Sequence, residues 1–473
     1  MVQDSSITPK GLRFISLKGA GGREPNVHLV GRGEGGKLLL DCGRVGRPGK
    51  SSEAVALLEA KGEVPGAVWV SHVHADHVGA LDELVARWPK MDVWMTRQSR
   101  DLLPFALMSQ GVARERAEAI ALKVKIAPWR VAVEVMPGVR LTALGAGHMP
   151  GAAMALVAFE GSEDDRAPGG RDVARVLYTG DFCAHDQVWV GGAELPRMGA
   201  GELDLLVMEA TLANEAKLDA VEYGEEVQRI KALLSERGGA VLAGASALGE
   251  GAELAMILGE ICQGRSPGLM VDAYMRPVLE AMRREAAGEG PLAVGVQQNL
   301  ELLKGLRYGS RRELRAHLEA GGVALAVGDQ FQKNTTAGAL LALLREDPTA
   351  TLLVSNRAHR SSPAGKLLAR ARQESAGSSA ASGTSVKGGA SATGGTSATG
   401  GTSAKGGARV LHALLPTHAL RWQLLAVAGQ LQPSQIALIH ARDGARFALK
   451  RALQKEGFEG AIHVAASGEW LDL

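Results

Sequence analysis

The chain has 473 residues, 46% of them hydrophobic, 22% charged and only 4% aromatic, with a formal net charge of +2. Such a chain holds two or three domains around aliphatic cores, and its composition excludes collagen-like, disordered and disulfide-stapled classes. The near-balanced charge excludes a polybasic protein, and the lack of any apolar run of about eighteen residues excludes a helical membrane span.

Met1 to Phe14 contains no apolar stretch of signal-peptide length. Cys42, Cys183 and Cys262 are odd in number and far apart, so they read as buried free thiols of a protein in the reducing cytoplasm. Short apolar runs bounded by glycine-rich turns predict strands at Leu12–Leu17, Val27–Val30, Lys37–Asp41, Ala67–Ser71, Val93–Met95, Arg140–Leu144, Met154–Phe159, Arg175–Thr179 and Leu205–Glu209. Helical periodicity marks Ser52–Lys61, Val78–Trp88 and Ala113–Val124. Many strands with few helices between them fit two packed sheets flanked by helices better than a regular βαβ repeat.

Beyond Val221 the texture changes. Helical patterns at Glu222–Arg237, Glu250–Ile261, Pro277–Ala287 and Arg311–Ala320 alternate with strands at Ala240–Ala243, Leu269–Val271, Val323–Val327 and Thr351–Ser355. That alternation predicts an α/β unit with a parallel sheet. Residues 373–408 are low-complexity, with a six-residue Gly/Ser/Thr/Ala unit repeating from Ser382 to Lys405, and such a stretch buries no apolar surface, which predicts a flexible loop. Patterning resumes with strand Val410–Leu414, helix Leu420–Leu431, strand Gln435–Ile439, helix Asp443–Lys455 and strand Ala461–Ala465. The expected division is therefore a first unit over 1–210, an insertion over 211–372, the loop over 373–408, and a return to the first unit over 409–473.

The chemistry concentrates in Ser71-His72-Val73-His74-Ala75-Asp76-His77, directly after the apolar run Ala67–Val70. Imidazole and carboxylate donors without a thiolate suit zinc or a similar ion in a hydrolytic site rather than a structural cysteine site. A strand end running into a loop points His72 and His74 the same way and leaves Asp76 and His77 beyond the turn for a second ion. Four more polar residues end strand-like runs or sit in turns. They are Asp41 after Leu38–Leu40, His148 in Gly147–Gly151, Asp181 after Tyr178–Gly180, and His440 after Ile436–Ile439. Strand ends on a rigid sheet are where such a constellation is best held.

The order Asp, HxHxDH, His, Asp resembles the metallo-β-lactamase superfamily, and the α/β insertion resembles its β-CASP branch of nucleic-acid nucleases. The resemblance implies an αββα sandwich with an inserted β-CASP domain and two zinc ions, with manganese as the alternative. It implies His72, His74 and His148 on the first ion, Asp76, His77 and His440 on the second, and Asp181 bridging them. Asp41 would orient a ligand. Glu209 and His418 match two further motifs of the branch and would work as an acid–base pair on the leaving oxygen. The bland alternatives are a solvated strand end for Glu209 and a helix cap for His418. The implied activity is hydrolysis of RNA, single-stranded above all. The alternatives are a hydrolase of the same fold acting on a small phosphodiester or other ester, and a non-catalytic RNA-processing scaffold.

Three stretches depart from the branch's pattern. Glu209 is followed by Ala210-Thr211-Leu212 instead of a Thr-Tyr-Gly run. A helix start that normally carries a phosphate-contacting Arg reads Gly249-Glu250-Gly251-Ala252-Glu253. A glycine-rich stretch is replaced by Ser355-Asn356-Arg357-Ala358-His359. Arg283, Arg284, Arg311, Arg312, Arg315, Arg357 and Arg360 remain as candidate phosphate contacts, with Arg311–Arg315 reading more readily as a solvated helix face and Arg357 and Arg360 lying nearer the region the branch uses. The other histidines, among them His28, His185 and His317, read as structural or surface residues.

Overall fold

The computed structural model describes residues 11–18, 24–33, 35–44, 52–161, 172–236, 238–285, 290, 303–355, 358–381, 402–403 and 407–473. Two seven-stranded sheets face each other. The first runs Trp470–Asp472, Leu12–Lys18, Val27–Arg32, Leu38–Leu40, Ala67–Trp69, Asp92–Met95, Lys125–Ile126. The second runs Ala461–Val464, Gln435–Ile439, Leu205–Glu209, Val173–Tyr178, Ala153–Glu160, Val139–Gly145, Ala132–Met136. Alternation along the strands sorts their side chains. Phe14, Val30, Leu40 and Trp69 meet Leu141, Val157, Val176, Tyr178 and Val207 between the sheets. Ile15, Leu29, Val68 and Val70 point out and are covered by Leu58, Leu81, Leu84 and Leu102 of the flanking helices.

The third sheet is a separate α/β layer in the order Arg307–Gly309, Leu269–Asp272, Val323–Val327, Val241–Ala245, Thr351–Ser355, Arg409–Ala413, Thr402–Ser403. All its pairings are parallel except that of the short strand Thr402–Ser403. Helices cover both faces, as buried parallel strands require. Val241 and Ala243 pack with Ile230, Leu254 and Leu258 on one face. Leu242 and Ala324 pack with Leu314, Leu340 and Leu368 on the other. The mixed α/β sandwich and the inserted α/β unit both match the fold class read from the sequence.

Strand Arg409–Ala413 corrects one expectation. It pairs with Thr351–Ser355 in the inserted sheet, so the chain rejoins the sandwich only with Arg421–Leu431 and Gln435–Ile439, not at 409. A five-residue apolar run states its strand character but not its sheet. Helices Arg97–Ser109, Thr336–Leu344 and Pro363–Ala381 were also unanticipated. The first carries Pro104, which argues against an uninterrupted helix although Gln98, Ser99, Leu102, Leu103, Ala106 and Leu107 form a buried stripe, and the second is too aliphatic to show one. The last runs into the expected loop; residues 382–401 and 404–406 of that loop lie outside the described residues. Asn356 and Arg357 do too. All three cysteines are buried and free. Among the described residues, no helix is long and apolar enough to cross a membrane.

Candidate metal centre

The His72–His77 segment leaves strand Ala67–Trp69 and turns at once into the short helix Ala75–Val78. His77 N and Val78 N donate to His74 O at 2.9 and 3.0 Å, which swings Asp76 and His77 away from His72 and His74. The turn packs so closely that a side chain on Gly43 would run into the Asp76 carbonyl. Asp41 and His440 both adopt the left-handed backbone region, at φ 61° and 53°. Non-glycine residues hold that conformation where their surroundings over-determine it. Asp41 meets that condition, because its carboxylate accepts from Ser71 N (2.7 Å), Ser71 Oγ (2.8 Å), Tyr178 Oη (2.6 Å) and His77 Nδ1 (2.7 Å).

Two donor clusters result, sharing Asp181. In the first, Nδ1 of His74 lies 3.0 Å from Nε2 of His72 and 3.1 Å from Nε2 of His148. Asp181 Oδ2 is 3.8 Å from both His72 Nε2 and His148 Nε2. In the second, Asp76 Oδ2 lies 3.2 Å from His440 Nε2 and 3.9 Å from His77 Nε2. Asp181 closes this cluster too, with Oδ2 at 3.3 Å from His77 Nε2 and Oδ1 at 2.8 Å from His440 Nδ1.

The donor set fits divalent cations. Each of three imidazoles spends one nitrogen on a protein acceptor and turns the other into the cluster. His77 Nδ1 donates to Asp41, His74 Nε2 to Leu248 O (3.1 Å) and His148 Nδ1 to Thr417 O (2.8 Å). Three inward nitrogens thus face one another at hydrogen-bond distance in the first cluster. Burial and the neighbouring rings push His72 down, and burial with His418 beside it lowers His148 to about 3, so both present lone pairs. Around the second cluster burial opposes charge, yet the carboxylates override it. Asp181, Asp41 and Asp76 raise His77 to about 10, and Asp181 holds His440 well above the usual range. The site therefore draws positive charge to itself. Asp181 Oδ1 is buried and, although close to His440, receives no aligned hydrogen bond. An orphaned buried carboxylate oxygen is what a cation would satisfy.

Glu209 is 1% exposed and so is not a solvated strand end. Its Oε1 accepts from Phe182 N (3.0 Å) and from His418 Nδ1 (2.9 Å). Burial alone would raise this carboxyl; the His418 ring overrides that and holds it at about 2. The same carboxylate raises His418 against its own burial. His418 Nε2 is left facing the cavity, with the ring 4.6 Å from that of His148.

The ten site residues read from the sequence come together here, and six of them, His74, Asp76, His148, Asp181, His418 and His440, line one cavity of 230 Å³ between the sandwich and the inserted sheet. The inserted unit supplies Ser246, Gly249, Glu250 and Glu253 to its wall, and no Lys or Arg is among the lining residues. Glu253 is buried, and accepts from Val188 N (2.8 Å), Trp189 N (2.8 Å) and Tyr223 Oη (3.0 Å), pinning the 188–189 loop to the insertion. The sequence reading missed this latch, the Leu248 and Thr417 carbonyls, and the place of His28. His28 is buried behind the site, where its Nε2 meets Asn26 Oδ1 (3.3 Å) and the Asn26 amide reaches His77 Nε2 (3.0 Å). A buried carbonyl leaves no mark in a sequence, but the Tyr178 before Gly180-Asp181 could have signalled a partner for Asp41.

The family model described as the metallo-beta-lactamase superfamily matches residues 20–163. The chain is 27% identical to an uncharacterised protein of Synechocystis sp. over 44% of its own length and 34% of the relative's. It is 26% identical to cleavage and polyadenylation specificity factor 73 of Drosophila melanogaster, covering 58% of this chain and 42% of that protein. It is 28% identical to the probable RNase MJ4 of Methanocaldococcus jannaschii, covering 47% and 51%. The chain thus spans about a third to a half of the length of these relatives. A solved structure of a protein of unknown function from Enterococcus faecalis V583 aligns over 98% of this chain and 100% of its own, with a TM-score of 0.54 and 14% identity. That likeness concerns the fold alone.

Proposed function

We propose, on the premise that this chain belongs to the β-CASP branch of the metallo-β-lactamase superfamily, that it is a two-zinc phosphodiesterase cleaving single-stranded RNA. The observation that carries the reading is the meeting at one cavity of two donor clusters, both within reach of Asp181, with His418 backed by Glu209. His72, His74 and His148 would hold one ion, Asp76, His77 and His440 the other, and Asp181 both. Bound divalent cations would supply Lewis-acid activation of water and charge neutralisation at phosphorus.

The chain's own residues then divide the remaining work. Asp41 fixes the tautomer of His77, so that Nε2 is the donor turned inward. Glu209 accepts from His418 Nδ1 and so keeps that ring protonated, with Nε2 placed to hand a proton to the departing ribose oxygen. The inserted unit roofs the cavity and excludes bulk water. We assign residues 1–210 and the tail after Ala413 to the catalytic sandwich, and the intervening α/β unit to substrate binding.

A second reading has one observation in its favour. The cavity is small, and among the described residues its wall holds Glu250 and Glu253 but no cation, which suits a small diester better than a run of phosphates. Zinc-loaded protein and its Asp181→Ala variant, incubated with single-stranded RNA labelled at either end, separate the two. Cleavage by the wild type alone supports the nuclease. No cleavage with two zinc ions bound, and turnover of bis(p-nitrophenyl) phosphate retained, refutes it in favour of the small-diester reading.

A further inference from the structure

The edge of the inserted sheet that roofs the cavity continues well beyond it. Its parallel strands all end on one side, so the residues that follow neighbouring strands form a row. Ligands of open α/β sheets bind along such carboxyl edges. Glu250 follows strand Val241–Ala245 and Asp329 follows Val323–Val327, giving the cavity side an acidic character. Next along the row come Tyr274 and Arg276 after Leu269–Asp272, then Arg311 and Arg312 after Arg307–Gly309. At about 4.8 Å per strand, Tyr274 stands about 10 Å and Arg311 about 14 Å from Glu250 along the edge. Continuity is direct, because the methyl of Met275 packs against Gly251, the neighbour of Glu250.

This outer part of the row differs from the rest of the surface. Tyr274 is 79% exposed, the second highest value among the large exposed hydrophobic side chains described. It is nevertheless held in place: Asp272 Oδ1 accepts from Tyr274 N (3.1 Å), while Asp272 Oδ2 accepts from Val327 N (3.2 Å). The Arg276 guanidinium lies 4.5 Å from the Tyr308 ring centroid. Arg311 and Arg312 open a helix whose start is fixed by a capping box of Ser310 and Glu313. Both are exposed, and among the described residues neither forms an ion pair, whereas Arg315 on the same helix is held by Glu319 at 3.0 Å. An exposed ring on a fixed backbone, with Arg276 beside it paired only loosely with Glu280 (3.9 Å) and two further guanidinium groups outside any ion pair among the described residues, is the arrangement that stacks a base and tracks phosphates.

We infer that Tyr274, Arg276, Arg311 and Arg312 form a docking platform for the single-stranded RNA segment that extends past the metal cavity. A base stacks on Tyr274, and phosphates meet the three arginines. The acidic gap at Glu250 and Asp329 separates this platform from the metals, so affinity for RNA comes from outside the cavity that cuts it. The inference rests on the nuclease reading above.

The test uses the zinc-loaded full chain, fluorescence anisotropy, and fluorescein-labelled phosphorothioate uridine oligomers of three and twelve residues. The wild type is expected to bind the dodecamer more tightly than the trimer. Tyr274→Ala should weaken dodecamer binding about 10-fold. The pair Arg311→Ala and Arg312→Ala should flatten the log–log salt dependence by about 1.4, at about 0.7 per lost phosphate contact. Arg315→Ala, already neutralised by Glu319, should leave the slope in place. Wild-type affinity and slope in the platform variants, with RNA still cleaved by the wild type, would overturn the platform and leave the nuclease standing. An equal loss in Arg315→Ala would also overturn it, as general surface charge. A wild type that neither binds the dodecamer nor cleaves RNA would remove both ideas.

Discussion

The two walls of the cavity are built on different principles. On the sandwich side several groups are fixed by a second buried side chain: His77 by Asp41, Asp41 by Ser71 and Tyr178, His418 by Glu209. The inserted wall gives a backbone carbonyl and carboxylates. From the insertion, Leu248 O holds His74 and Glu253 clasps the loop below, whereas the Thr417 O that holds His148 comes from the tail returning to the sandwich. The sandwich thus carries the reactive geometry, and the insertion holds that geometry shut. Damage to the first should abolish chemistry, and damage to the second should shift binding and stability.

The largest effect is expected for Asp181→Ala. Asp181 belongs to both donor clusters, so its loss removes the shared anion and exposes His77 and His440 to a smaller negative field. Zinc measured by elemental analysis should fall below two per chain, and RNA cleavage should vanish with it. Full occupancy in the variant would show that the two clusters are independent and would erase the contrast between the walls. His418→Ala comes next. It leaves both clusters intact, so zinc should be retained while turnover falls about 10²–10⁴-fold, the usual contribution of a positioned acid or base. An unchanged rate would make the ring a mere spacer against His148.

The sandwich side was largely legible in the sequence, and the reason is local. HxHxDH, Gly-His-Met-Pro-Gly and Thr-Gly-Asp each place donors just past an apolar run, so the ends of the strands fix where the donors stand, and the turn into Ala75–Val78 sends Asp76 and His77 away from His72 and His74. Glu209 and His418 were legible as residues but not as a pair, because 209 positions separate them in the chain and only the fold sets Nδ1 at 2.9 Å. The inserted wall was poorly legible. Glu253 read as a departure beside Glu250, yet its partners are two backbone amides and a tyrosine contributed by distant segments. Strand Arg409–Ala413 was read correctly as a strand and assigned to the wrong sheet, since partner choice depends on faces the run itself does not display.

Glu253 gives a prediction of intermediate size on the insertion side. Burial pushes its carboxyl up to about 7, against the three donated hydrogen bonds, which favour the ionised form. The folded state therefore holds its proton more strongly than the unfolded chain, whose carboxyl titrates near the ordinary value of about 4.3. Between those values the native state binds more protons, so this group's contribution to stability is complete at low pH and declines as pH rises towards 7. Glu253→Gln keeps an acceptor for one of the two amides, lowers stability by a pH-independent amount through the other, and removes the titration. Denaturation followed from pH 4.5 to 7.5 should show a shallower decline in the variant, with metal content unchanged. A decline as steep as in the wild type would assign the pH dependence elsewhere and weaken the latch.

The smallest effect, and the one that most sharpens the comparison, belongs to Glu250. Its Oε1 accepts from Ser355 Oγ at 3.0 Å, and burial together with Asp329 raises its carboxyl to about 7. At pH 8 and above it is largely ionised and faces the same cavity as the proposed metal ligands. A phosphate passing that wall meets a like charge, worth on the order of 1 kcal/mol at a partly solvated separation of several ångströms. Glu250→Gln keeps the Ser355 contact and removes the charge, so RNA should bind about 2–5-fold more tightly at pH 8, with the gain shrinking towards pH 6 as the wild-type carboxyl takes up its proton. A gain that persists unchanged at pH 6 would mean that packing, not charge, separates the two side chains. No gain at either pH would mean that the RNA backbone never approaches this wall, and that the inserted unit meets its substrate entirely along the outer edge.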